Sequence, residues 1–254
     1  MNLLINKTAI VTGASSGIGR EAAKLFAREG AHVIVVARRT ELLRALVEEI
    51  ELEGGSALAY SGDISDEQCA RETVALAERR FGGLDIAFNN AATMGELKSV
   101  MDLSTASWND ILSTNLTSAF LAARYQIPAM LKRKNASLIF TSSFVGYSVG
   151  LPGKVAYAAS KSGIIGLMRT LAAEYSAAGL RVNALVPGGT YTDMGKLAAS
   201  TPEQYAFVES IHAMKRWATP QEIARSVLYL ASDASSFTTG TTFFTDGGVT
   251  ITRT

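Results

Sequence analysis

AIVTGASSGIG, residues 9–19, is the stretch of the sequence that decides the fold class. An apolar run leads into a glycine-rich turn, and helical periodicity over residues 17–29 follows the turn as far as Gly30. Glycines at such a junction let the backbone turn tightly and approach a pyrophosphate bound at the N-terminus of the helix. The spacing is G-x-x-x-G-x-G rather than the commoner G-x-G-x-x-G, so the motif needs support from the rest of the chain.

Short apolar runs alternate with helical stretches along the remainder of the sequence. The predicted strands are residues 9–11, 33–36, 57–60, 84–88, 137–141, 182–186 and 241–244. Short, continuously apolar strands between helices indicate a parallel sheet that is covered on both faces. The sequence therefore predicts the α/β class, as a doubly wound, Rossmann-like parallel sheet of seven strands with helices on both faces.

The chain contains no Pro- or Ser-rich linker and no internal repeat, so we expect a single dinucleotide-binding and catalytic domain over residues 1–254. The least regular stretch, residues 188–217, follows the sixth strand and is expected to form a mobile substrate lid. Thr219, Pro220 and Glu222 have the pattern of a helix start with a capping box. Pro128 is expected to kink or end a long helix over residues 112–131.

The composition argues against several classes of partner. The formal net charge of +1 creates no strong field for nucleic acid or an acidic membrane. The single cysteine, Cys69, cannot form an internal disulfide and fits a reducing compartment. No run approaches the roughly 20 apolar residues of a membrane span, and residues 1–12 resemble a first strand rather than a signal peptide. These observations together lead us to expect a cytoplasmic protein. His32 and His212 lack the spacing of metal ligands, so we expect no metal site.

The end of the second strand predicts the cofactor preference. Dinucleotide-binding folds usually carry an acidic residue about 20 positions after the glycines, where it binds the ribose hydroxyls. Ala37 stands at that place and is followed by Arg38 and Arg39. Guanidinium groups can bind a 2′-phosphate with paired hydrogen bonds, so the sequence favours NADP(H). NAD(H) remains the alternative, because the glycine loop contains Ser15 and Ser16 and no second basic residue.

Ser143, Tyr157 and Lys161 form a candidate chemical site. Lys161 follows Tyr157 at i+4 on a predicted helix, so both side chains lie on one helix face. A nearby ammonium stabilises phenolate, and Lys161 is therefore expected to lower the pKa of Tyr157 from its usual value of about 10. The hydroxyl of Ser143, which follows the fifth strand, can hold a substrate oxygen beside the Tyr157 proton. Ser142 is the alternative serine.

In their order along the chain, these motifs resemble the short-chain dehydrogenase/reductase family in its form of about 250 residues. The likeness covers nearly the whole sequence. It rests on residues 12–19, Asp63, Asn89-Asn90-Ala91, Asn115, Ser143, Tyr157, Lys161, Pro187-Gly188, Thr192 and Asp246-Gly247-Gly248. Two departures are Ala92, where glycine is more frequent in the family, and a Ser143–Tyr157 interval that is one residue longer than the commonest spacing.

The resemblance implies a role for each matching residue. Ser143 would polarise the substrate oxygen, Tyr157 would be the acid–base catalyst, and Lys161 would hold the nicotinamide ribose. Asn115 would hold a water in a proton relay, and Thr192 and the backbone near Thr190 would hold the carboxamide. The full set of expected cofactor-binding residues is Gly13, Ser15, Ser16, Gly17, Ile18, Gly19, Arg38, Arg39, Asp63, Ile64, Asn89, Ala91, Tyr157, Lys161, Pro187, Gly188, Thr190 and Thr192. The family usually forms tetramers, through two long helices and the C-terminal segment.

The expected activity is therefore hydride transfer between NADP(H) and a small-molecule carbonyl compound or secondary alcohol. A 3-oxoacyl thioester reductase and an NAD-dependent dehydrogenase of sugars or cyclic diols are alternatives within this class. A nucleotide-sensing regulator is a non-enzymatic alternative, although such a protein needs no proton relay. The substrate pocket is expected to include Met94, Phe144, Tyr147, Leu151, Tyr191 and residues 195–217.

Overall fold

Seven parallel strands form one sheet at the centre of the computed structural model, which describes residues 2–252. They are β1 (Thr8–Thr12), β2 (His32–Ala37), β3 (Ser56–Ser61), β4 (Ile86–Asn89), β5 (Ala136–Thr141), β6 (Leu180–Pro187) and β7 (Thr242–Thr245). Their order across the sheet is β3-β2-β1-β4-β5-β6-β7, and every neighbouring pair is parallel. The predicted doubly wound α/β fold is thus confirmed.

Nine α-helices accompany the strands in the described part of the chain. They are α1 (Gly17–Arg28), α2 (Thr40–Leu52), α3 (Glu67–Phe81), α4 (Thr105–Leu112), α5 (Ser118–Met130), α6 (Val155–Tyr175), α7 (Asp193–Ala198), α8 (Pro202–Ile211) and α9 (Pro220–Ala231). Helix α9 begins as the sequence predicts, with Thr219 as N-cap, Pro220 in the first turn and a capping box completed by Glu222.

The sheet has a hydrophobic core on each face. In β1, Ala9 and Val11 pack into one core while Ile10 packs into the other, because successive side chains of a strand point to opposite faces. Helices α1, α2 and α9 cover the first core, and helices α3, α5 and α6 cover the second. Both faces of the central strands β1, β2 and β5 are buried almost throughout, which explains why their sequences are largely apolar rather than alternating.

The strand order reverses between β1 and β4. The chain runs outward from β1 to β2 and β3, and then returns to place β4 on the other side of β1. The loops that follow β1 and β4 therefore leave in opposite directions and open a crevice at the carboxyl ends of the strands. In open α/β sheets, ligands bind at such a reversal.

A π-helical turn, Ser113–Thr117, interrupts the helical stretch between α4 and α5. The helix does not end at Pro128, which lies inside α5 two residues before its last residue, Met130. A proline there removes one hydrogen bond of the last turns and leaves the rest of the helix intact. The π-helical turn Ser113–Thr117 places Asn115 in the interior, where its side chain is buried.

The stretch 188–217 is more regular than the sequence suggests, because it contains the helices α7 and α8. Thr192 caps α7, and Thr201 forms a capping box with Gln204 at the start of α8. Neither helix has a buried residue, so neither carries the apolar stripe that predicts a core helix. Among residues 2–252, no helix is long and apolar enough to cross a membrane.

Candidate active site

A cavity of about 640 Å³ lies at the carboxyl ends of the strands. Its wall on the β1–β3 side includes Gly13, Ile18, Arg38 and Asp63, and its wall on the β5–β6 side includes residues from three further segments. These segments follow β5, begin α6 and follow β6, and they contribute Ser143, Phe144, Leu151, Lys154, Tyr157, Lys161, Pro187, Gly188, Thr190 and Thr192. Most of the predicted site residues therefore meet in one space.

The glycine loop is closely packed against neighbouring segments of the chain. Gly13 has a φ of 68°, and a Cβ atom there would lie 2.9 Å from the Cα of Ala91. Gly17 has a φ of 57°, and its Cβ would lie 2.9 Å from Cγ2 of Thr192. A Cβ on Gly19 would lie 2.5 Å from the carbonyl oxygen of Gly13, and Gly19 is absent from the cavity wall. Gly19 thus serves the packing of α1 on the loop, while Gly13 and Gly17 shape the cavity itself.

The N-terminus of α1 faces this loop without a side-chain cap, since Ser16 stands at the N-cap but accepts no hydrogen bond from the helix. The first backbone N–H groups of a helix have no intrahelical partners and bind anions. Together with the cradle formed by Gly13 and Gly17, they fit the pyrophosphate of a dinucleotide.

The two predicted arginines occupy different positions. The guanidinium of Arg39 donates hydrogen bonds to the hydroxyl of Ser15, from Nη2 at 2.8 Å, and to that of Ser16 at 2.9 Å. Arg38 is 78% exposed, and its Nη1 lies 3.9 Å from a carboxylate oxygen of Asp63. Arg39 thus brings to the glycine loop the positive charge that its own sequence lacks.

The two serines after β5 differ in what their hydroxyls do. The Ser142 hydroxyl donates a hydrogen bond to the backbone carbonyl of Lys161 at 2.8 Å. The Ser143 hydroxyl accepts a hydrogen bond from the backbone N–H of Val145 at 3.1 Å, which leaves its proton available for a ligand. Both serines line the cavity, and this difference favours Ser143 as the one that contacts a substrate.

Tyr157 and Lys161 lie on one face of α6, as their spacing predicts. The Lys161 ammonium lies 5.7 Å from the centre of the Tyr157 ring. Burial raises the pKa of Tyr157, and the neighbouring Ser143 hydroxyl lowers it in part. Lys161 is not among the groups that lower the pKa of Tyr157, contrary to expectation, and burial lowers the pKa of Lys161 itself to about 7.

Lys161 is only 2% exposed, and its ammonium donates one hydrogen bond, to the carbonyl of Thr141 at 2.8 Å. An ammonium has three hydrogens to donate, so two remain for a ligand in the adjoining cavity. Ribose hydroxyls are acceptors of the right kind, and this buried donor therefore fits the nicotinamide ribose.

Asn115 does not line the main cavity. Its side chain is hydrogen-bonded to both backbone groups of Thr93, each at 2.8 Å, and donates to the Ser160 hydroxyl at 3.0 Å. It thereby ties the segment after β4 to helix α6. Asn115 also lines a second cavity of about 30 Å³, where Asn89, Ser118 and Gln126 stand among apolar side chains such as Val36 and Ile164, and the space is large enough for one water molecule.

The structure separates the adjacent residues Asn89 and Asn90. The Asn89 amide pairs reciprocally with that of Gln126, at 2.8 and 3.1 Å, and does not reach the main cavity. Asn90 lines the main cavity and donates to the Thr12 carbonyl at 3.2 Å. The prediction of Asn89 as a cofactor contact thus meets a side chain that points elsewhere, because successive residues at a strand end face opposite sides.

The residues predicted to form the substrate pocket lie partly in the cavity wall and partly outside it. Met94, Phe144 and Leu151 line the cavity, as do several residues of 195–217. Tyr147 packs instead against Phe244, with ring centres 5.3 Å apart, and Tyr191 packs against Tyr205. Met194 and Lys154, which no sequence motif indicated, also line the cavity, and so does Asn90 of the predicted motif Asn89-Asn90-Ala91.

His212 has the structural role expected from its lack of partner spacing. It is 2% exposed, its Nε2 accepts the backbone N–H of Gly189 at 2.9 Å, and its Nδ1 lies 2.5 Å from the carbonyl of Val208. The ring thus joins α8 to the segment after β6. In the described part of the chain, no three His, Cys, Asp or Glu residues are grouped so that they could hold a metal ion.

The chain resembles known proteins over nearly its whole length. A family model described as enoyl-(acyl carrier protein) reductase matches residues 13–250. The A-factor type gamma-butyrolactone 1′-reductase (1S-forming) of Streptomyces virginiae is 38% identical over 250 residues, which are 98% of this chain and 97% of that protein. The cyclohexanol dehydrogenase of an Acinetobacter species is 35% identical over 98% of this chain and 97% of its own.

A solved structure has the same architecture. It is a candidate NAD(P)-dependent gluconate 5-dehydrogenase from Beutenbergia cavernae, with NADP bound at low occupancy. It is 33% identical and superimposes with a TM-score of 0.93 over 99% of each chain.

Proposed function

Because the chain belongs to the short-chain dehydrogenase/reductase family, we propose that it transfers a hydride between NADP(H) and a ketone or secondary alcohol, with Tyr157 as acid–base catalyst. Its relatives are dehydrogenases and reductases of alcohol or carbonyl groups with nicotinamide cofactors. The observation that carries the proposal is the meeting of Ser143, Tyr157 and Lys161 with the glycine loop in one cavity.

Each side chain has a defined task in this proposal. When bound, the nicotinamide supplies or accepts the hydride. The Ser143 hydroxyl donates a hydrogen bond to the substrate oxygen and holds it next to the Tyr157 hydroxyl. Tyr157 gives its proton to that oxygen during reduction and takes it back during oxidation. Lys161 holds the ribose with the two hydrogens that Thr141 leaves free, and the small cavity beside Asn115 holds a water for proton exchange.

The raised pKa of Tyr157 favours reduction at neutral pH. Burial disfavours phenolate, so the side chain is protonated and ready to act as an acid before a substrate binds. Alcohol oxidation needs the phenolate as a base. Because the raised pKa of Tyr157 makes the phenolate scarce at neutral pH, we expect the rate of alcohol oxidation to rise as the pH increases toward that pKa.

The surroundings of the predicted adenosine ribose support NADP(H) over NAD(H). Ala37 provides no carboxylate at the end of β2. Arg39 lies on Ser15 and Ser16, where a 2′-phosphate can reach its guanidinium. Arg38 is exposed at the cavity wall and adds a second positive charge, which Asp63 offsets only in part.

The lining of the cavity on the β5–β6 side supports a mainly apolar substrate. Its apolar side chains are Met94, Leu97, Phe144, Val145, Leu151, Pro152, Met194, Ala198, Phe207, Val208, Ile211 and Trp217. Polyhydroxylated sugars would lose hydrogen bonds to water there without replacing them, which makes a sugar dehydrogenase the weaker alternative. A 3-oxoacyl thioester reductase remains the second candidate, because an acyl chain suits such a wall.

A wider proposal concerns the whole chain. Residues 1–254 form one catalytic domain with a substrate lid at residues 188–217, and the protein assembles as a homotetramer.

The test of the enzyme proposal is an NADPH oxidation assay with a panel of apolar ketones. The wild-type protein is expected to turn over at least one of them, and Tyr157→Phe is expected to lose at least a hundredfold in kcat, because general acid–base catalysis contributes about 10²–10⁴-fold. Tyr147→Phe, a tyrosine outside the cavity, serves as the matched control. Cofactor binding without turnover of any ketone would favour the nucleotide-sensing regulator, and near-normal turnover by Tyr157→Phe would refute the mechanism.

A further inference from the structure

Helix α6 carries a third functional candidate on the face that bears Tyr157 and Lys161. Lys154 is the N-cap of this helix, three positions before Tyr157 and seven before Lys161, and residues at i, i+3 and i+7 share one helix face. Lys161 lies one turn beyond Tyr157 and donates to Thr141. Lys154 lies about one turn before Tyr157, so this helix face carries one lysine before and one lysine after Tyr157.

Lys154 is partly buried in the wall of the main cavity, near Leu151 and Pro152 in the sequence. Burial lowers the pKa of its ammonium, which shows that the charged end itself lies among protein atoms. Within residues 2–252, Lys154 takes part in no ion pair and its ammonium makes no hydrogen bond. A partly buried cation without a protein partner gains from a ligand that completes its environment.

The other charged residues of the cavity wall have different positions. Arg38, Arg39 and Asp63 follow β2 and β3, and Lys161 is directed to the Thr141 carbonyl. Among the described residues that line the cavity, Lys154 is therefore the one remaining charge, and it stands among the apolar side chains of the β5–β6 side. No carboxylate lines that side to repel an anion.

We propose that Lys154 is a specificity-determining residue that binds a carboxylate on an otherwise apolar carbonyl substrate. The proposal rests on the function proposed above and names the substrate class of that same site: keto acids with a hydrophobic frame, or the corresponding hydroxy acids. The apolar wall holds the frame, Tyr157 and Ser143 hold the reacting oxygen, and Lys154 pairs with the carboxylate away from the nicotinamide end.

A nearby lysine shows what an ordinary surface position looks like. Lys98 is about half exposed and pairs with Glu96 at 3.2 Å, so its charge is already satisfied in water. It lies just outside the cavity wall, next to Leu97. Lys98→Met therefore removes one positive charge from the same neighbourhood without touching the proposed site, and it is the matched control for Lys154→Met.

The experiment compares keto acids with their methyl esters as substrates for the NADPH-loaded enzyme. The three pairs are 4-oxopentanoate, 4-oxocyclohexanecarboxylate and 4-acetylbenzoate, each with its ester, so that the distance between ketone and carboxylate varies. We expect wild-type protein and Lys98→Met to favour at least one acid over its ester by about tenfold to a hundredfold in kcat/KM, the range of a charge-assisted hydrogen bond. Lys154→Met is expected to lose that preference while it keeps its activity on the ester, and Lys154→Arg to retain part of it.

Retained activity on the esters shows that Lys154→Met is folded and that the enzyme proposal stands. A failure of the carboxylate proposal can therefore be distinguished from a failure of the proposed function. If neither acids nor esters are turned over, titration of each pair into the protein with oxidised cofactor gives the same comparison as a ratio of Kd values. Absence of any acid preference in the wild type, or an acid preference that survives in Lys154→Met, would overturn the assignment.

Discussion

Lys161 combines a buried position with a charge that the proposed function requires. In the protein without ligands, burial lowers its pKa to about 7, so at higher pH the side chain is mostly a neutral amine. Ribose hydroxyls accept hydrogen bonds more strongly from the charged ammonium. Cofactor binding must therefore raise the pKa of Lys161, and by linkage it takes up a proton above neutral pH.

This reasoning predicts a pH dependence of cofactor affinity. Because the favoured form is the protonated one, affinity is highest below about pH 7 and falls as the pH rises. Calorimetric titration of NADPH, whose nicotinamide ring is uncharged, in buffers of different ionisation enthalpy should show proton uptake on binding above about pH 7. Lys161→Met should show none of this uptake, whereas Lys98→Met should behave like wild type. Wild-type binding without proton uptake would contradict the prediction.

The residues that end β2 carry a second prediction, on cofactor choice. A guanidinium–phosphate contact contributes roughly 1.5–3 kcal/mol, about tenfold to a hundredfold in affinity. Ala37→Asp combined with Arg38→Leu should reverse the preference to NAD(H), because the carboxylate repels a 2′-phosphate and binds free ribose hydroxyls. Arg39→Leu alone should weaken NADPH binding more than NADH binding.

Competitive titration of NADPH and NADH decides this point. Arg44→Leu is the matched control, since Arg44 is an exposed residue of α2 that pairs with Glu41 at 3.0 Å. Tighter binding of NADH by the wild-type protein would refute the assignment and leave Arg38 as an ordinary surface residue.

At the scale of elements, α7 and α8 are attached differently from the other helices. They bury no residue of their own, and their attachment depends on contacts such as the stacking of Tyr205 on Trp217 at 4.9 Å and the hydrogen bonds of His212. Leu197 and Phe207 remain exposed. Elements with few buried contacts open at low free-energy cost, which is the behaviour that a lid needs.

We therefore predict that α7 and α8 become more protected from hydrogen exchange when cofactor and a ketone bind together. Helix α3, which packs against α5 on the sheet, should exchange equally in both states and serves as internal reference. The measurement is amide hydrogen exchange with peptide-level resolution. Equal protection of residues 193–211 with and without ligands would rule out the lid.

The elements also show which features a sequence can predict. Short apolar runs identified all seven strands of the described chain, including β3 and β7, which are only partly buried, but several strand ends were wrong by one or two residues. In β6, Arg181 interrupts the apolar pattern and is nevertheless buried, because its guanidinium donates to the carbonyls of Leu230 and Ser232. Helices α7 and α8 had recognisable caps at Thr192 and Thr201 but no apolar stripe, so pattern alone could not find them.

At the scale of the whole molecule, the reversal between β1 and β4 gathers the site from segments that are far apart in the chain. The sequence could place the glycine loop, Ser143, Tyr157 and Lys161 there, because each follows a predicted strand or lies on a predicted helix. The hydrogen-bond partners of side chains that lie far apart in the sequence could not be predicted. Arg39 meets Ser15 across 24 positions and Asn89 meets Gln126 across 37, and no local pattern records such pairs.

The π-helical turn at Ser113–Thr117 has a consequence for how related sequences are compared. Its wider turn holds an extra residue, so α4 and α5 differ in rotational phase by about 100°, the angle per residue of an α-helix. A related sequence that lacks one residue at this turn would have a continuous helix. Asn115 could then no longer face Thr93 while α5 kept its packing on α3. A gap at this point of an alignment therefore marks the loss of the link between the β4 segment and α6, even where an asparagine is retained.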